Sequence, residues 1–124
     1  MEITWHVAEV ILTRRSIMPL ELSRPPQADN DEKSVEMARV WIAQHGVHCT
    51  LKIGMYAGNR NVDERRAWGI ILADLARHVS NGLCKEFTSE TKEANLAAVV
   101  DAFYNELGFP TSSMEGEFIS KDLS

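Results

Sequence analysis

The chain has little cysteine and little proline, no excess of basic charge and no long apolar run in its 124 residues. Each shortage excludes something. Two cysteines, Cys49 and Cys84, with no CxxC spacing and no secretory context, exclude a disulfide framework and fit a pair of buried thiols in a reducing cytoplasm. No stretch approaches the roughly 18 apolar residues of a membrane span, so a soluble, cytoplasmic protein is expected, with no membrane partner. Thirteen Lys and Arg against eighteen Asp and Glu leave a net charge of -5, which does not draw a chain to nucleic acid. Neither GxGxxG nor GxxxxGK[ST] is present, and no Ser or Cys stands in a nucleophile elbow. No cofactor, metal or catalytic residue is expected from these patterns.

What is present is globular. Hydrophobic residues make up 44% and charged residues 25% of the chain, enough for one ordinary core. Near the start, Ile3, Trp5, Val7, Val10, Ile11 and Leu12 are interrupted by Glu2, His6 and Glu9 and followed by Arg14 and Arg15, the reverse of a signal peptide's order. Residues 1–18 are therefore expected to be an appended N-terminal arm, and residues 19–110 a single α+β domain. After Gly108 and Pro110 few apolar residues remain, so residues 111–124 are expected to be a mobile C-terminal tail.

Two runs, 35–44 and 47–56, flank His45-Gly46, a plausible two-residue hairpin turn. That turn would set Ile42 opposite Cys49, Val40 opposite Leu51 and Ala38 opposite Ile53, an apolar face throughout. The other face would carry Met37, Arg39, Trp41 and Ala43 against Gly54, Lys52, Thr50 and His48, with Tyr56 beyond. Arg39 would then lie across from Lys52, a repulsion of up to about 1 kcal/mol. An acidic group on a second subunit or a ligand would relieve it, as would water and neighbouring carboxylates.

Asn61, with Glu64 three residues on, predicts a helix start. Trp68, Ile71, Leu72, Leu75, Ala76, Val79 and Leu83 then recur at helical steps, predicting a helix of about 24 residues that ends near Phe87. Thr88 and Ser89 offer a second cap, and Leu96, Val99, Val100, Phe103 and Leu107 mark a second helix stopping at Gly108. The expected fold is thus α+β, an antiparallel β-hairpin followed by two helices packed on one sheet face. Such a ribbon leaves an outer face and edges open, which predicts a homodimer.

Two clusters are candidates for function. The hairpin face carries Arg39, Trp41, His48, Lys52 and Tyr56, a mixture of aromatic and cationic groups suited to a partner surface. These residues could also stack and pair with a single nucleic-acid strand, but without a basic excess or an aromatic motif that partner is not expected. On the long helix Asp74, Arg77 and His78 lie at i, i+3 and i+4, an arrangement shared by acid-base dyads and by ordinary exposed ion pairs. His45 and His48 lack a completing ligand for metal. The expected function is a non-enzymatic, self-associating binding or interaction module with a protein partner. The alternative is a binder of small anionic metabolites, or a weak enzyme, using the cationic face with Asp74, Arg77 and His78.

The blocks Ala38-Arg39-Val40-Trp41-Ile42-Ala43, Val47-His48, and Ala67-Trp68-Gly69-Ile70-Ile71-Leu72-Ala73-Asp74 with Arg77-His78 resemble a small bacterial domain family of unknown function. The likeness covers about residues 19–110. It implies a compact bacterial cytoplasmic α+β domain and no particular activity.

Overall fold

Two adjacent residues of left-handed backbone reverse the chain and set the sheet. In the computed structural model, which describes residues 20–120, Gln44 has φ 50° and His45 has φ 61°. Positive φ at both central positions is the pattern of a type I′ turn, whose twist matches that of the strands it joins. The turn therefore lies one residue earlier than His45-Gly46. It joins β1 (Ala38–Ala43) to β2 (Gly46–Lys52), antiparallel, with Ile42 opposite Val47, Val40 opposite Cys49 and Ala38 opposite Leu51. Moving the turn by one residue moves each partner by two, and side chains alternate with a period of two, so both faces keep their membership. Only the pairings change. Arg39 faces Thr50 in place of Lys52, and the expected like-charge pair does not form.

Gly46 is buried at the start of β2, where a Cβ would lie 3.6 Å from the Ser113 hydroxyl and where the Ser113 carbonyl accepts from the Val47 N–H at 3.4 Å. It admits the chain leading into a third strand. β3 (Met114–Ile119) pairs in parallel with β2, giving the sheet order β1-β2-β3. This strand falls within the segment expected to be a mobile tail. Its register sets Met114, Gly116 and Phe118 beside Val47, Cys49 and Leu51, and Glu115, Glu117 and Ile119 beside His48, Thr50 and Lys52. Gly116 has φ 149°, and a Cβ built there would fall inside the Cys49 carbonyl. β2 also ends earlier than expected, at Lys52, because Gly54 turns the chain at φ 91°. One short helical turn, α1 (Pro26–Asp29), starts on a proline, which tolerates the first helical position for want of an N–H.

The described residues divide into two compact units: residues 20–55 with 112–120, which hold the sheet, and residues 56–111, which hold two helices. The arm expected at residues 1–18, and the last four residues of the tail, lie outside the described residues. In the helical unit, α2 (Glu64–Glu86) is capped by Asp63, whose carboxylate accepts from the Arg65 N–H at 3.1 Å. The Asn61 N–H instead donates to Asn59 Oδ1 at 3.0 Å, so Asn61 belongs to the preceding turn. The next helix, α3 (Lys92–Gly108), is capped by Thr91, which accepts from the Ala94 N–H at 3.0 Å, two residues later than the nearer of the two expected caps. Ser80, 2% exposed, lets the helices approach. Its hydroxyl returns to the Ala76 carbonyl at 2.8 Å while its own carbonyl accepts from Asn95 Nδ2 at 3.4 Å. No helix among the described residues is long and apolar enough to cross a membrane.

Two substitutions check this account of the sheet. Gly116→Ala should cost about 1–3 kcal/mol through the forced clash with Cys49 and remove hydrogen-exchange protection from β3 before β1; equal protection in both strands would refute the close approach. Gln44→Asn should raise stability by up to about 1 kcal/mol, since Asn accepts left-handed backbone better than Gln, as read by chemical denaturation. A loss of stability there would refute the turn assignment.

Candidate functional site

The register gives the sheet two chemically different faces. One carries Ala38, Val40, Ile42, Val47, Cys49, Leu51, Met114, Gly116 and Phe118, with no charged group. Several of its side chains are open to solvent: Val40 is 63%, Met114 67% and Phe118 75% exposed. Cys49 Sγ touches Met114 Sδ at 3.4 Å, and Cys49, like Cys84, is a half-buried free thiol. The other face carries Arg39, Trp41, His48, Thr50 and Lys52, together with Glu115, Glu117 and Ile119 from β3.

Four of the five expected surface residues, Arg39, Trp41, His48 and Lys52, therefore share the polar face, with Trp41 directly opposite His48. Tyr56 does not join them as a member of β2. It lies in the helical unit, where its N–H donates to Glu64 Oε1 at 3.3 Å. The cations are not bare. Arg39 donates from Nε and Nη2 to the two oxygens of Glu36, at 3.2 Å each, and from Nη1 to Glu21 Oε2 at 2.5 Å. The hydrogen bond with Glu36, then that carboxylate's charge, hold the Arg39 guanidinium above its ordinary value. Lys52 is 6% exposed and its Nζ donates to the Ser120 carbonyl at 2.7 Å. The acidic group expected from a partner or a ligand is thus supplied to Arg39 by its own chain.

These compensating residues were not among the candidates. Glu36 could have been found from its spacing of three to Arg39, and β3 from the alternation of Met114, Gly116 and Phe118 with Glu115 and Glu117. Nothing local marks Glu21 or the Ser120 carbonyl as partners of residues so distant in sequence.

At one end of this face Val35, Glu36, Arg39, Thr50, Lys52 and Ile119 are among the residues that line an open cleft of about 390 Å³. On α2, Asp74 pairs with Arg77 at 2.5 Å, both largely exposed, whereas His78 is exposed beside them. An exposed pair of this kind contributes little to stability. Among the described residues no group of three or more His, Cys, Asp and Glu converges as a metal site.

The geometry clearly shifts the titration of the Asp63 cap carboxyl. Hydrogen bonds from the Arg65 side chain, at 3.1 and 3.0 Å, and then from its backbone N–H hold Asp63 below the usual carboxylate range. A carboxyl depressed by folding adds stability above its unfolded pKa and loses it as pH falls through the folded value. Asp63→Asn keeps the cap but not the charge, so its melting temperature should fall below that of the unaltered chain by a few degrees near pH 6, a gap closing toward about pH 2. A gap independent of pH would refute the assignment.

Residues 21–111 match the family model DUF5076, a domain of unknown function. A solved structure described as a "putative pyruvate dehydrogenase" from the photosynthetic bacterium Rhodopseudomonas palustrus CGA009 is similar at 24% identity and a TM-score of 0.56, over 79% of this chain and 93% of that one. At that identity the likeness is one of fold. A search of curated proteins finds no match.

Proposed function

This chain belongs to the DUF5076 family, a domain of unknown function, and we propose that it works in the bacterial cytoplasm as a non-enzymatic binding module that associates with a second copy of itself. The observation that carries this reading is the uncharged sheet face, on which Val40, Met114 and Phe118 are each more than 60% exposed. Contiguous apolar surface left in water favours association in proportion to the area removed from it. A second copy suits this face because two-fold symmetry sets the same surface against itself, and this one brings no like charges together. The polar face suits self-contact less well, since β3 places Glu115 and Glu117 beside His48 and Thr50.

The cytoplasmic setting is supported by the two free thiols of Cys49 and Cys84. The test is mass in solution. Light scattering at tens of micromolar should return twice the 13.9 kDa of one chain, and Phe118→Glu should return the mass of one chain with unchanged helix content. A single-chain mass for the unaltered protein would overturn the reading.

A further inference from the structure

A buried ammonium group is costly unless its charge and its donors are matched. Lys52 is 6% exposed, and among the described residues its Nζ has one acceptor, the neutral Ser120 carbonyl at 2.7 Å. Two of its three N–H bonds and its whole formal charge are left without a direct partner there. The carboxylates nearest in the fold do not supply one. Glu36 and Glu21 both close on Arg39, a cluster with one excess negative charge, and Glu117 lies at the register position of Thr50. Lys52 lines the cleft of about 390 Å³ together with Thr50, with Arg39 and its partner Glu36, and with the apolar residues Val35 and Ile119. That volume suits a small molecule.

We infer that this cleft is a binding site for a small monocarboxylate with a short carbon skeleton. Its carboxylate takes the two spare donors of the Lys52 ammonium and the Thr50 hydroxyl, and its carbon chain lies against Val35 and Ile119. Charge selects one carboxylate rather than two, or a phosphate. One negative charge neutralises Lys52, whereas a second would meet the acidic excess around Arg39. The apolar lining selects against a bare inorganic anion, which would leave two hydrophobic side chains against a hydration shell.

The test is amide-resolved NMR titration of the full chain with propionate and lactate, with propionamide and inorganic phosphate as comparisons. Saturable shifts at residues 35–39, 50–52 and 119, with a Kd of about 1 mM or tighter for a carboxylate, are expected, and none for propionamide. Lys52→Met should weaken binding at least tenfold. Because that buried position could unsettle the sheet, Thr50→Glu on an exposed position is the second variant: its carboxylate occupies the ammonium in place of the ligand, with the same tenfold loss expected. The site is refuted by an absence of saturation for both carboxylates up to about 20 mM, by equal shifts with propionamide, by tighter binding of phosphate, or by undiminished binding in a folded Lys52→Met or Thr50→Glu chain.

Discussion

A missing methyl group decides how many strands the sheet has. β3 lies so close to β2 at Gly116 that any Cβ there would overlap the Cys49 carbonyl. With glycine the two backbones meet, and the parallel ladder runs from Met114 beside Val47 to Ile119 beside Lys52. That contact turns a marginal two-stranded ribbon into a three-stranded sheet with β2 at its centre. It also brings Ser120 to the Lys52 ammonium and adds two glutamates to the polar face. The character of both faces follows from it.

The polar face shows how a chain disposes of cations without a partner. Arg39 faces Thr50 across the hairpin and is held by Glu36, close in sequence, and Glu21, distant in sequence. Lys52 is drawn inward to a carbonyl. The two residues that look alike as surface cations therefore do different things: one is a closed ion-pair cluster, the other a buried charge whose acceptor among the described residues is a single carbonyl. The self-association and the ligand site proposed above consequently fall on opposite faces of the same sheet, the uncharged face for a second copy and the Lys52 end of the polar face for a small acid.

Much of the fold is legible in one dimension because it is local. The hairpin, the long amphipathic α2 and the stop of α3 at Gly108 follow from alternation, helical spacing and turn chemistry within windows of a few residues. The caps shift by two or three residues because several polar side chains near each helix start compete for the same free amides, and the preceding turns choose among them. The polar cluster of Asp74, Arg77 and His78 was legible as a set of helical neighbours, but spacing could not reveal that Asp74 closes on Arg77 rather than on the imidazole.

By itself the sequence determined which residues share a face of β1 and β2, since a period of two survives a turn displaced by one residue. It likewise determined the helical segments, the absence of a basic excess and the candidates on the polar face. Tertiary structure alone decided the partner of each residue across the hairpin, the existence of β3 in the sheet, and the fates of Arg39 and Lys52. The physical reason is range. Patterns of two and of three to four residues encode local geometry, whereas the approach of Gly116 to Cys49, of Glu21 to Arg39 and of Ser120 to Lys52 joins residues 18 to 68 positions apart, where no periodicity carries information.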